Sequence, residues 1–205
     1  MPIPLKGITH AEESIWGSDF KISSKESVLL NASSGKGKST FTSIVCGLRN
    51  DFEGNLTINQ RDAQQFDDDF LSHLRTYELA VVFQDLQLFP ELTVAENLQL
   101  KNQLTQTFTE QELLSMLEEL GIPDKWTQKV GLLSMGQKQR VAIIRALAQP
   151  FKILILDEPF SHLDQENTLK CLALIRRRCE ELNAGFVLTT LGDTYDGNFS
   201  RELKL

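Results

Sequence analysis

The run Ala32-Ser33-Ser34-Gly35-Lys36-Gly37-Lys38-Ser39-Thr40 gathers small, hydroxyl-bearing and cationic residues into one short stretch. Gly35 and Gly37 let the backbone turn so that successive N–H groups face one point, the geometry of an anion cradle. A helix opening near Ser39 adds its positive end to that point. In such a phosphate loop Lys38 reaches the β- and γ-phosphates of a nucleoside triphosphate, and the Ser39 hydroxyl is a ligand for Mg²⁺. Ser33, Ser34, Lys36 and Thr40 complete the expected phosphate contacts. The plainer alternative is a Gly/Ser turn carrying a surface lysine. Ala32 stands where the usual pattern has its first glycine, and a positive φ there would cost roughly 1 kcal/mol.

A second set of reactive groups closes the apolar run Ile153-Leu154-Ile155-Leu156-Asp157-Glu158-Pro159. An apolar strand buried on both faces delivers two carboxylates at its C-terminal end, where open α/β sheets bind ligands. Asp157 would hold Mg²⁺ through water, and Glu158 would orient or deprotonate an attacking water. Taken alone, the pair also reads as two solvated acids closing a strand. Beside a phosphate loop it reads as hydrolytic machinery.

The elements that must position these groups follow from periodicity. Strands are expected at 20–22, 27–31, 54–58, 79–84, 152–156 and 186–191, with one more available in 198–205. Helices are expected from Ser39 to Cys46, with Gly47 as a stop, and from Leu163 to Leu182. Thr93 to Leu120 is helix-rich, and Thr109 with Glu112 forms a capping-box pattern that opens a helix ending before Gly121. Ser134 opens another helix running through Leu147. Strands alternating with helices indicate an α/β fold with a mainly parallel sheet. The strand-poor stretch 91–131 forms a lobe of its own, and 1–90 with 132–205 forms the core of a single domain.

The chain has 205 residues and a net charge of −7, which disfavours nucleic acid as a partner because such binding needs a basic footprint. No stretch approaches the roughly 18–20 apolar residues of a membrane-spanning helix. Met1 to Gly7 has no apolar core of a signal peptide, so a cytoplasmic location is expected, with any membrane role exercised through a partner. Cys46, Cys171 and Cys179 lack metal-like spacing and read as reduced structural thiols.

Leu133-Ser134-Met135-Gly136-Gln137 makes the reading specific. It resembles the signature motif of ABC ATPases, usually Leu-Ser-Gly-Gly-Gln, and it lies upstream of the acidic strand as in that family. Val82-Phe83-Gln84-Asp85 resembles the family's Q-loop, and Ser161-His162-Leu163-Asp164 its D-loop. The resemblance covers nearly the whole chain. It implies a P-loop NTPase fold with a mainly parallel sheet, flanking helices, a small antiparallel β portion and an inserted helical lobe. It implies ATP and Mg²⁺ as ligands. Gln84 would approach the metal and the attacking water. Ser134, Gly136 and Gln137 would face the γ-phosphate of ATP held by another subunit, and Asp164 would lie near the interface of a homodimer or heterodimer. The stretch from Phe83 to Leu98 looks most like the ATPases of lipoprotein-release, macrolide-efflux and cell-division complexes, although amino-acid importers are also similar there. The family docks a permease beside the Q-loop, which makes Gln84, Leu86, Leu88, Phe89 and Leu92 candidates for that groove; core packing between the lobes is the alternative for the apolar four.

Two departures from the family pattern bear on rate. Leu191 occupies the position of the switch histidine, whose imidazole normally bonds the γ-phosphate, and of His10, His73 and His162 none aligns with it. Met135 replaces the first signature glycine. The aromatic that usually stacks on adenine has no clear counterpart: the corresponding stretch holds Thr9 and His10, and Trp16 is the nearest large ring. The reading is an ATP-binding, ATP-hydrolysing subunit that energises a separate permease. The alternatives are a nucleotide-gated module with weak hydrolysis and a soluble ABC protein of another process, such as iron–sulfur assembly.

Overall fold

The computed structural model describes residues 3–4, 14–33, 35–192, 195 and 198–205. Its centre is a five-stranded parallel sheet built from β2 (Ser27–Asn31), β6 (Leu79–Val82), β7 (Ile153–Asp157), β8 (Gly185–Thr190) and β9 (Arg201–Lys204). Their order is β6-β7-β8-β2-β9, so the apolar strands β7, β8 and β2 are interior and the shorter β6 and β9 form the edges.

Alternation along the interior strands decides the two faces. Val28, Leu30, Ile155 and Val187 point to one side, where Phe41 and Ile44 of α1 (Lys38–Val45) close a core with Trp16 and Leu74. Leu29, Leu154, Leu156, Phe186 and Leu188 point to the other, packed against α5 (Met135–Leu147) and α6 (Gln165–Leu182). That second core runs on without a break into α3 (Val94–Asn102) and α4 (Glu110–Glu119), through Leu98, Leu113 and Leu117. Within 91–131 there are helices and 3₁₀ turns but no strand of the sheet. An antiparallel bridge between Thr93 and Lys129 ties the two ends of this stretch together.

Antiparallel pairing is confined to short pieces. β1 (Ile3–Pro4) pairs with β3 (Phe52–Glu53), and β4 (Thr57–Ile58) turns into β5 (Arg61–Asp62) through Asn59 and Gln60, both at positive φ as a tight hairpin turn requires. The strand expected at 54–58 is thus reduced to its last two residues. The one expected at 20–22 does not form: Phe20 and Ile22 pack on the core without a pairing partner. A helix α2 (Asp68–His73) continues as a π-helical turn, Leu74–Glu78, directly into β6.

Register positions the site. Asn31 pairs with Thr190, Asp157 with Thr189, and Val82 with Leu156. The C-terminal ends of four strands are therefore level. The phosphate loop, Gln84, the acidic pair and Leu191 all leave the sheet along one edge.

Candidate functional site

The phosphate loop turns at Gly35 and Gly37, with φ of 77° and 99°. Gly37 is also the N-cap of α1, and a side chain there would be strained. Ala32 is buried and has no positive φ, so the strain anticipated from the missing first glycine does not arise. Ser34 lies outside the described residues. The loop is braced from below: the Trp16 indole Nε1 donates to the Lys36 carbonyl at 3.2 Å. Trp16 is buried in this role and offers no face to a purine. Thr9 and His10 lie outside the described residues.

Lys38 turns back over its own loop. Its Nζ donates to the carbonyls of Ala32 (2.9 Å) and Ser33 (3.3 Å), and it lies 3.2 Å from Glu158 Oε1. Both side chains of this ion pair are largely shielded from water, at 5% and 11% exposure, where attraction is much stronger than at the surface. Thr40 Oγ1 accepts from Arg49 at 3.4 Å.

Asp157 is buried and accepts a hydrogen bond from Thr189 Oγ1 at 2.7 Å. The same threonine receives the Glu158 backbone N–H at 3.2 Å. Glu158 stands at φ 50°, a left-handed position that this bond helps hold. Such strain in a rigid frame is common where a side chain must be aimed. Sequence reasoning passed over Thr189; its signal is a polar residue inside an apolar strand, one register step from the acids. Ser39 Oγ donates to Gln84 Oε1 at 3.3 Å. Ser39, Gln84 and Asp157 line one groove of about 1040 Å³. Their donors are all oxygens and include one carboxylate, a set that suits Mg²⁺, which keeps several waters and takes phosphate oxygens as further ligands.

The same groove extends along Phe89, Leu48 and Leu100, which are 54%, 58% and 45% exposed. Leu86 does not belong to it. It is buried and Leu88 packs partly against the same core, as the core-packing alternative has it, whereas Leu92 is half-buried and does not line the groove. The cause is a backbone reversal: Leu86 and Gln87 both have positive φ, at 61° and 50°. Arg145 clamps that turn by donating to the carbonyls of Leu86 (2.8 Å) and Gln87 (2.6 Å).

Ser134 caps α5 with a full capping box: Gln137 N donates to Ser134 Oγ at 3.3 Å, and Gln137 Oε1 accepts from Ser134 N at 3.0 Å. Ser134 and Met135 are exposed at the start of this helix. Gly136 packs on the D-loop, where an added Cβ would lie 2.7 Å from the His162 carbonyl oxygen. Asp164 caps α6, accepting from Asn167 N at 2.8 Å. That bond, together with the Asn167 side chain, holds the Asp164 carboxyl below its usual range. Leu191 follows β8 and is 52% exposed.

Residues 16–161 match the family model of the ABC transporter. A thiamine import ATP-binding protein, ThiQ of Haemophilus influenzae, is 36% identical over 179 residues, covering 84% of this chain and 79% of its own. A putative hemin import ATP-binding protein, HrtA of Staphylococcus aureus, is 35% identical, covering 80% and 76%. Among solved structures, the dimeric bacterial ABC transporter cassette MJ0796 superimposes with a TM-score of 0.80 at 28% identity, over 99% of this chain and 94% of that one. Its post-hydrolysis dimer with ADP and Pi gives 0.74 at 32% identity, over 85% and 78%. The chain belongs to the ABC transporter family, as a cassette that binds and hydrolyses ATP. The named transport relatives are importers, whereas the sequence between Phe83 and Leu98 pointed first toward release and efflux systems.

Proposed function

We propose that two cassettes sandwich ATP between the phosphate loop of one and the signature helix of the other, and that closure drives a separate membrane permease. The observation that carries this reading is the convergence of Lys38, Ser39, Gln84, Asp157 and Glu158 at one sheet edge, with the Lys38–Glu158 pair at 3.2 Å. The N–H groups of residues 33–40 would cradle the phosphates, and Lys38 would leave Glu158 for the β- and γ-phosphates. Ser39, Gln84 and, through water, Asp157 would hold Mg²⁺, which neutralises charge on the phosphate oxygens when bound. Ser134, Gly136 and Gln137 from the opposite cassette would close over the γ-phosphate with the positive end of α5, and Asp164 would lie at that interface.

In the hydrolytic step a water oxygen bonds to the γ-phosphorus while the bond to the β,γ-bridging oxygen breaks. The electron pair leaves on the ADP oxygen, and the water proton passes to Glu158. The permease would seat in the groove at Gln84, Phe89, Leu48 and Leu100, with residues 91–131 moving as a lobe. On this reading the chain would work in the cytoplasm, at the inner face of a membrane. The ligand classes of the importing relatives, thiamine and hemin, make a small organic cargo the first to assay.

Steady-state Mg-ATP turnover of wild type and Glu158→Gln tests the reading. Loss of a general base should lower turnover on the order of 10²-fold or more and leave ATP-stabilised dimers. Equal rates in the two proteins would remove Glu158 from the chemistry. The exposed Leu191 keeps a second reading in view, a nucleotide-gated module; ATP-dependent dimerisation of wild type without turnover selects it.

A further inference from the structure

His162 is held by a short chain of hydrogen bonds that the sequence does not announce. Gln139, buried in α5, accepts the His162 backbone N–H on Oε1 at 3.0 Å. A backbone N–H can only donate, so this bond settles which end of the Gln139 amide is oxygen. Its Nε2 then donates to Ser161 Oγ at 2.9 Å. Ser161 Oγ in turn lies 3.0 Å from His162 Nδ1, within hydrogen-bond distance. Where Ser161 is the donor in that contact, the imidazole carries its hydrogen on Nε2 and presents a donor outward. The ring is exposed.

His162 also sits against the signature. A Cβ on Gly136 would meet the His162 carbonyl at 2.7 Å and Leu163 at 3.2 Å, so the first turn of α5 and this loop form one contiguous surface. Whatever Ser134 and Gly136 approach, His162 approaches as well. In the sandwich proposed above, that object is ATP on the opposite cassette, beside the opposite Leu191. Leucine offers no hydrogen bond there, and its side chain is 52% exposed.

We propose that His162 acts in trans: its Nε2–H donates to a γ-phosphate oxygen of the ATP bound by a second copy of this chain, in place of the imidazole that Leu191 lacks. It keeps its proton throughout, so the stoichiometry of hydrolysis is unchanged. His162 is then a catalytic residue contributed across the dimer. The inference rests on the sandwich reading, and one experiment separates their failures.

Turnover is measured for wild type, His162→Ala, His162→Gln, Lys38→Ala and a one-to-one mixture of His162→Ala with Lys38→Ala. Removing a donor to the transferring group should cost about 10²-fold, and glutamine, which retains an N–H, should recover part of it. In the mixed dimer, one site combines an intact phosphate loop with an intact opposite histidine. Half the dimers are mixed and each has one complete site, so the mixture should regain about a quarter of wild-type turnover. A mixture no more active than its components would place His162 in its own site or outside the chemistry and overturn the proposal. Wild-type turnover in His162→Ala would overturn it as well. No turnover in wild type overturns the sandwich motor itself.

Discussion

Met135 and Gly136 are neighbours in one helical turn under opposite constraints. Met135 occupies a glycine position of the family pattern, yet its side chain is 45% exposed and meets no obstacle inside the cassette. Gly136 has no such freedom, because backbone lies where its Cβ would be. Gly136→Ala should therefore push the D-loop away at about 1–3 kcal/mol, read as a lower denaturation midpoint. The same change should depress turnover, since His162 shifts with the loop. Much of the site was legible at this scale. Gly35 and Gly37 adopt the positive φ their loop demands, and α5 opens at Ser134 as its position before the apolar pattern implied. The Lys38–Glu158 and Asp157–Thr189 pairs were not legible, because each joins residues far apart in sequence and depends on strand register.

Among the elements, the turn after β6 places two consecutive non-glycine residues at positive φ. Leu86 and Gln87 sit in a left-handed conformation that a branched or bulky side chain adopts only under constraint. Arg145 supplies it with two donors to their carbonyls. Arg145→Met keeps the bulk and removes the donors. It should cost about 1 kcal/mol, mainly for the part-buried Leu86 carbonyl left unpaired, since that of Gln87 stays open to water, and amide exchange at 85–89 should accelerate well before α5 does. Helices with local start signals were readable from spacing, as with Thr109 and Glu112 on α4. The inward turn of Leu86 was not, since nothing in the residues around it demands positive φ. The stretch 20–22 shows the converse failure: apolar alternation there yields packing and no strand.

For the molecule as a whole, the two cores enclose all three thiols. Burial, as the leading cause, pushes Cys46, Cys171 and Cys179 up to about 12 from the ordinary 9.0. The folded chain then keeps protons that the unfolded chain releases above 9.0. Stability should be full below that pH and fall steadily as pH climbs toward 12. Chemical melts between pH 8 and pH 11 check the slope, and substitution of the three by alanine or serine should flatten it. At neutral pH the native protein should resist thiol alkylation that the denatured chain accepts.

The ion pair between Lys38 and Glu158 has a consequence for the idle protein. In the empty cassette the Glu158 carboxylate is engaged by the Lys38 ammonium 3.2 Å away. In the roles proposed above, incoming triphosphate would compete with Glu158 for the same cation, and the substrate's arrival would free the base. On those roles the cassette would carry a safety catch that only its own fuel could lift.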